Sequence, residues 1–224
     1  MALIHHTTLT PTKLELLAAW LPTRPWYVGG AREPELTKVG GFRLDDPDGE
    51  VGIEFMVVTD ASGETPVSYH VPLSYRGAPL DGADQALVGT TEHGVLGKRW
   101  VYDGTHDPVV VGQLLAFLQG RAEAQAQGLS DTPDPTVTGY FTGAGVSAEV
   151  ASVAVTDGQH GTAVVVETVA GSLTLQVTRT LPTPEQQAPG IDTSEAQGHV
   201  TAGWRLPDGS EVRAPFVLVG DTVR

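Results

Sequence analysis

Residues 51–76 read VGIEFMVVTDASGETPVSYHVPLSYR, and this stretch decides the fold class. Apolar side chains occupy every second position on both sides of a Ser62-Gly63 turn, first from Val51 to Val57 and then from Val67 to Leu73. Strict alternation is typical of a strand with one buried face, and a short turn between two such runs is typical of an antiparallel hairpin. The stretch therefore predicts two neighbouring strands of a sheet that is covered on one face.

Two helices are predicted on either side of this hairpin. Thr10 is a suitable N-cap, Pro11 suits the first helical position, and leucines recur at helical spacing until Pro22 ends the first helix. Asp107 and the proline after it begin the second helix in the same way, and Gly128 ends it. Both helices carry an apolar face, so we expect both to pack on the sheet.

The segments next to the second helix are less regular. Residues 77–97 are rich in Gly, Ala and Asp and are predicted to be a loop, whereas residues 98–102 (KRWVY) predict a short strand. The far end of the second helix, residues 121–127 (RAEAQAQ), is polar, and we expect it to be helical and solvated.

A linker and a second β region complete the organisation. Residues 130–135 (SDTPDP) disfavour both helix and strand, and the rest of the chain alternates strand-like runs with Asp157-Gly158, Ala170-Gly171 and Asp208-Gly209 turns. Residues 182–198 predict a surface loop. The predicted fold is α+β: a curved antiparallel sheet with two packed helices over residues 1–128, and a smaller antiparallel β region over residues 136–224.

Composition excludes several functional classes. The chain has 13 Lys and Arg against 27 Asp and Glu, which gives a net charge of −14. Such a charge repels phosphate backbones and anionic lipids, so nucleic acid and membrane are not expected partners. The chain contains no cysteine, and its first residues do not form a signal peptide, so we expect a cytoplasmic protein.

Motifs for catalysis or metal binding are weak. Residues 143–149 (GAGVSAE) lack the second glycine of a nucleophile elbow, and the residues after them predict a strand and not the helix of a dinucleotide site. Asp103, His106 and Asp107 form the densest cluster of potential metal ligands, but capping of the helix and anchoring of the loop explain them better. We expect no catalytic residues, no metal and no cofactor.

Three short motifs in register resemble the N-terminal cap of actinobacterial maltokinases. They are Trp20 with residues 25–29 (PWYVG), residues 69–73 (YHVPL), and residues 102–108 (YDGTHDP) leading into a helix. The order and spacing match over about residues 10–127. Departures also occur, since Gly30 stands where the cap has a basic residue, which leaves Arg32 nearby.

The resemblance implies a role in the route from trehalose to glycogen, in which maltokinases make maltose 1-phosphate from ATP and maltose. In that family a kinase amino lobe and carboxyl lobe follow the cap. The second half of this chain resembles the amino lobe, but Gln176 stands where a strand would present the lysine that contacts ATP phosphates. A neutral amide does not supply that charge, so the resemblance implies a non-catalytic relative.

The leading hypothesis is a non-catalytic, cap-like regulator or scaffold in maltose, trehalose and glycogen metabolism. Its expected partner is a protein, such as a maltokinase, a trehalose synthase or a second copy of the chain, bound at an edge strand of the second sheet or at the surface around Trp204. The candidate ligand or partner surface comprises Trp26, Tyr27, Arg32, Trp100, Tyr102 and His106.

Two alternatives remain open. In the first, the chain is an α-glucan-binding module whose four rings, Trp26, Tyr27, Trp100 and Tyr102, stack on glucose units from one concave face. In the second, it is an enzyme, either a divergent sugar phosphotransferase or an unrelated hydrolase, in which His70, His93 or His106 meets acidic side chains in a pocket.

Overall fold

The computed structural model describes residues 8–30, 32–143, 150–159, 161–168, 171–183 and 196–221. Within these residues the fold has two α-helices and thirteen strands of one antiparallel sheet. The helices are α1 (Lys13–Trp20) and α2 (Pro108–Leu118). The strands before residue 130 are β1 (Leu9–Thr10), β2 (Leu36–Leu44), β3 (Gly52–Asp60), β4 (Val67–Arg76), β5 (Leu87–His93), β6 (Gly97–Asp103) and β7 (Gln125–Ala126). The later strands are β8 (Thr138–Phe141), β9 (Val150–Asp157), β10 (Gly161–Thr168), β11 (Gly171–Thr178), β12 (Gly198–Arg205) and β13 (Glu211–Asp221).

The sheet joins the two halves of the chain. Its strand order is β1-β5-β6-β4-β3-β2-β12-β13-β11-β10-β9, with β7 paired to β2 and β8 paired to β12. The halves meet where Gly40 of β2 lies opposite Trp204 of β12. The division of the chain into two domains at residues 128–136 remains a prediction. Strands from both sides of this boundary form one sheet and line one core.

The sheet is strongly curved. Tyr69 of β4 forms an antiparallel bridge with Thr180, just after β11, although β4 and β11 are not neighbours in the strand order. The backbone N–H of His70 also donates to the carbonyl of Arg179 at 2.8 Å. Strands this far apart in the order can touch only if the sheet bends back towards itself, so the end of β11 lies against β4 in the first half of the chain.

The two helices cover opposite faces of the central strands. Helix α2 is apolar on nearly every side and packs in the larger core with Phe55 of β3 and Phe216 of β13, as expected for a helix without a solvated face. Helix α1 packs Leu17 and Trp20 against the other face, beside Met56. The buried face expected for the hairpin is confirmed, and β3 is buried on its other face as well.

The predicted hairpin, the strand at residues 98–102, strands between the turns of the second β region and the turn at Asp208-Gly209 are all confirmed. Two boundaries are corrected. Helix α1 is capped by Thr12 and not by Thr10, because Glu15 completes a capping box with Thr12. Helix α2 ends at Leu118, because Gly120 adopts a φ of 70°, which favours glycine.

The two segments predicted to be loop and helix contain strands instead. Residues 77–97 hold β5, which forms a hairpin with β6, and residues 121–127 hold β7, which pairs with β2. Trp204 is 2 % exposed, so its ring belongs to the core and does not itself face a partner. The expected surface loop over residues 182–198 and the segment 144–149 lie almost wholly outside the described residues.

No helix in the described parts of the chain is long and apolar enough to cross a membrane. A cavity of about 10 Å³ lies in the larger core between α2 and strands β10, β11 and β13. Its lining is almost wholly apolar, and a volume of this size is at the lower limit for one water molecule. The cavity is too small to hold a substrate.

Candidate functional site

The loop before β2 carries the first of the predicted residues. The Tyr27 hydroxyl donates to Asp60 at 2.7 Å, and the Tyr27 ring stacks on Tyr69 with 5.4 Å between centroids. The Tyr69 hydroxyl accepts the Val28 N–H at 3.1 Å. Burial and the Asp60 carboxylate raise the pKa of Tyr27 to about 12, and burial raises that of Tyr69 to about 12. Both phenols are therefore neutral near pH 7, and they fix the loop in place.

Trp26 lies inside the protein and not on the surface. Its side chain is fully buried, edge-on to Trp20 at 5.8 Å and tilted against Tyr69 at 6.0 Å. The guanidinium of Arg179 lies over the ring, 4.9 Å from its centroid. The ring contributes packing and a cation–π contact to the core, and it is not available to a ligand.

Arg179 links the second half of the chain to the first half through a buried ion pair. Its Nη2 donates to Asp103 Oδ2 at 2.5 Å and to Thr105 Oγ1 at 3.2 Å, and its Nε donates to Thr162 Oγ1 at 2.7 Å. Arg179 and Asp103 are 0 % and 2 % exposed. A guanidinium this deeply buried needs a carboxylate partner, and Asp103 supplies it from β6.

Two histidines lie close to this ion pair. His70 is fully buried, its Nδ1 is 3.0 Å from the Thr178 carbonyl, and its ring packs on Phe216 at 4.4 Å. Burial, followed by the Arg179 charge, lowers the pKa of His70 to about 3. Burial also lowers the pKa of the half-buried His106, although Asp103 and Asp157 oppose this effect. His70 is thus a neutral core residue, and only His106 reaches the surface.

The remaining predicted residues are spread over other parts of the fold. Tyr102 is 2 % exposed and its hydroxyl accepts the Leu80 N–H at 2.9 Å, whereas Trp100 is half-buried with the Lys98 ammonium 5.0 Å above its ring. Arg32 is exposed. Since Trp26 and Tyr102 are buried, the four rings do not form an open platform for a sugar, and this corrects the expected position of such a site.

The acidic residues that suggested a metal site have structural partners. Asp107 accepts two hydrogen bonds from Arg76, at 2.6 and 2.7 Å, and caps α2 through the Val109 N–H. Asp103 is held by Arg179. No group of three or more His, Asp or Glu side chains within the described ranges is arranged to hold a metal ion.

Sequence reasoning missed a second buried ionic cluster around Glu54. Its carboxylate accepts from Lys13 at 2.5 Å, Tyr75 at 2.7 Å and Gln127 at 3.0 Å, and Lys38 lies 3.7 Å away. Burial opposes ionisation, but the two lysines and Tyr75 outweigh it and hold the pKa of Glu54 below its usual value. The signal in the sequence is a single acidic residue between Ile53 and Phe55 in an apolar strand.

Gln176 is exposed on β11 and points away from the core, because its neighbours Leu175 and Val177 are buried. The position expected to present a lysine to ATP thus carries a neutral side chain on the outer face of the sheet. Arg179 is the nearest cation along this segment, and Asp103 already pairs with it.

These observations define a curved antiparallel α+β protein whose first half is pinned to its second half by a buried ion pair. Residues 20–107 match the family described as the maltokinase N-terminal cap domain. This part of the chain is therefore similar to the N-terminal cap domain of maltokinase. The match contains Trp20, the Tyr27 loop, the β3–β4 hairpin and Asp103, so the family pattern covers the residues that build this half of the core.

Proposed function

We propose that this protein is a non-catalytic, cap-like regulator or scaffold that acts through protein contacts in maltose, trehalose and glycogen metabolism. The observation that carries the proposal is the match of residues 20–107 to the maltokinase N-terminal cap domain. A cap is an accessory to the kinase lobes, so its chemistry is recognition and positioning of a neighbouring protein. The partners it fits are a maltokinase, a trehalose synthase or a second copy of this chain.

The use of the ionisable groups supports a non-catalytic role. Asp103, Asp107 and Glu54 are each buried and bound to a cation, so none is available as a general base or as a magnesium ligand. His70 is enclosed in the core with its pKa near 3. Gln176 provides no positive charge for ATP phosphates.

The loop between Tyr27 and β2 is the surface that suits a protein contact. Val28 is 61 % exposed and Arg32 is exposed, whereas the neighbouring Tyr27 is fixed by Asp60 and Tyr69. Arginine is one of the residue types enriched among the anchors that dominate the binding energy of protein interfaces, and Val28 adds exposed apolar surface in the same loop. We propose that these two side chains contact the partner.

Biolayer interferometry with immobilised maltokinase or trehalose synthase tests this proposal. We expect saturable binding by the wild-type chain and at least about a tenfold loss for the Val28→Asp, Arg32→Glu double variant, because an interface anchor contributes on the order of 2 kcal/mol. The matched control is Leu129→Asp with Arg205→Glu, which makes the same chemical changes at positions 60 % and 72 % exposed. The control is expected to bind like the wild type.

Two results would contradict the proposal. One is the absence of binding to both enzymes and of any concentration-dependent dimer in sedimentation velocity. The other is phosphorylation of maltose by the purified chain with ATP and magnesium, which would make it an enzyme despite Gln176.

An α-glucan-binding module is the second candidate. Burial of Trp26 and Tyr102 argues against the four rings that first suggested it, but a different exposed aromatic residue, Tyr140, keeps the candidate open.

A further inference from the structure

The outer face of the second half of the sheet carries a row of directly opposed side chains without charge. The row crosses six strands, from β8 through β12, β13, β11 and β10 to β9. In this order its members are Tyr140, His199, Leu218, Gln176, Ala163 and Thr156. All six are exposed or half-buried, because their neighbours along the strands point into the larger core.

A second uncharged row runs beside the first, two residues along each strand. It comprises Gly220, Thr174, Val165 and Ala154 on β13, β11, β10 and β9. None of the ten described residues in the two rows is Asp, Glu, Lys or Arg, in a chain with 40 such residues and a net charge of −14. We call these two rows the neutral strip.

The dimensions of the neutral strip favour a narrow ligand. Neighbouring strands lie about 4.8 Å apart, so the first row is about 24 Å long, and the second row lies about 7 Å from it. The strip therefore covers roughly 170 Å², whereas each side of a stable protein interface buries about 800 Å². A linear chain laid across the strands fits this shape better than a folded partner does.

The chemistry of the neutral strip favours a saccharide. Tyr140 is 54 % exposed and has its ring 5.5 Å from that of His199, which gives one end an aromatic surface suited to the C–H face of a sugar. Gln176 and Thr156 are exposed and offer amide and hydroxyl groups to sugar hydroxyls. The rows contain no Asp, Glu, Lys or Arg, so they offer no permanently charged side chain to an ionic ligand.

We propose that the neutral strip binds a linear, uncharged oligosaccharide, with Tyr140 stacking on one sugar ring and Gln176 hydrogen-bonding to another. This site is separate from the loop at Val28 and Arg32, and it does not depend on the protein contact proposed there. If the protein partner does not bind, saccharide binding can still be tested, and the reverse also holds.

Isothermal titration with maltoheptaose, together with electrophoresis in gels containing soluble amylose, tests the assignment on the full chain. We expect the wild type to bind, and Tyr140→Ala to bind about threefold to tenfold more weakly, as the loss of one aromatic stacking contact predicts. Gln176→Ala is expected to weaken binding as well. The matched control, Leu129→Ala, removes an exposed apolar side chain outside the strip and is expected to leave affinity unchanged.

A salt titration tests whether charged contacts contribute to the binding of the saccharide. Binding to an uncharged strip is expected to keep the same Kd as sodium chloride is raised, because screening acts only on charged contacts. Circular dichroism melting of each variant confirms that the exposed substitutions leave the fold intact.

Three outcomes would overturn the proposal. The first is no binding of either probe by the wild type. The second is binding that survives both Tyr140→Ala and Gln176→Ala, which would place the saccharide elsewhere. The third is a wild-type dimer that Tyr140→Ala dissociates, which would make the strip an interface between proteins.

Discussion

Replacement of Arg179 by methionine is the sharpest test of how the two halves are held together. Methionine has a similar length and remains apolar against Trp26, so the change removes the charge and three hydrogen bonds without leaving a large void. Asp103 then keeps its hydrogen bonds from Thr105 but loses its cation in a site that is 2 % exposed.

The expected loss of stability follows from this burial. Removal of one partner from a buried ion pair costs about 3 to 5 kcal/mol, because the remaining charge is left without compensation. We therefore expect Arg179→Met to lower the free energy of unfolding by about 4 kcal/mol. Adding Asp103→Asn removes the stranded charge and keeps an acceptor for Thr105, so the double variant is expected to recover about 2 kcal/mol.

Urea denaturation at neutral pH, followed by tryptophan fluorescence, measures these differences. The control is Arg205→Met, which breaks the pair with Glu211 where both side chains are 72 % exposed, and it is expected to change stability by less than about 1 kcal/mol. The reasoning is refuted if Arg179→Met costs no more than Arg205→Met, or if Asp103→Asn adds its full cost to that of Arg179→Met.

Four further substitutions test other parts of the fold. The folded-state pKa of His70 is lowered to about 3, so the unfolded chain takes up this proton at a higher pH than the folded chain does. The free energy of unfolding should therefore fall as pH drops from about 6.5 towards 3, by up to about 1.4 kcal/mol per pH unit. His70→Asn should flatten that slope in urea denaturation at a series of pH values. The pKa of Glu54 is lowered instead, so the stability that its ionised form contributes is present above pH 4.5 and is lost as pH falls below that value. Glu54→Gln should lower the Tm near pH 7 and weaken the dependence of Tm on pH below pH 4.5. An unchanged dependence of Tm on pH below 4.5 would contradict the assigned ion cluster. Gly41 has a φ of 118°, and a Cβ there would lie 2.0 Å from the Phe55 carbonyl oxygen, so Gly41→Ala should cost at least about 3 kcal/mol. Gly49→Ala, with a φ of 70° and open space around it, should cost only about 1 kcal/mol in the same denaturation assay, and equal losses at the two glycines would argue against the described β2–β3 contact.

The sequence predicted those elements whose signals are local. The β3–β4 hairpin follows from alternation and a turn, and the start of α2 follows from Asp107 and the proline after it. Strand β5 was missed because Gly89 and the polar residues around it weaken the alternation, and its place is decided by pairing with β6. The end of α2 was missed because residues 121–127 have high helix propensity, which pairing with β2 overrides.

The candidate site was less predictable than the fold. Aromatic residues in the cap motifs suggested a surface, but Trp26 and Tyr102 are core residues, and a sequence does not state which side of a loop a ring faces. Arg179 and Asp103 are 76 residues apart, and their pairing depends on the curvature of the whole sheet. The neutral strip was also invisible, because its rows appear only when the registers of six strands are known.

The contact between β2 and β12 has a consequence for synthesis on the ribosome. Gly40 and Trp204 lie far apart in the chain, so β2 leaves the exit tunnel long before its neighbour exists. Until then, part of the backbone edge of β2 is open to wrong pairing, and closing such a distant contact is slow. Nascent chains stalled before residue 198 are therefore expected to recruit chaperones, and chains stalled after β13 has emerged are expected to release them.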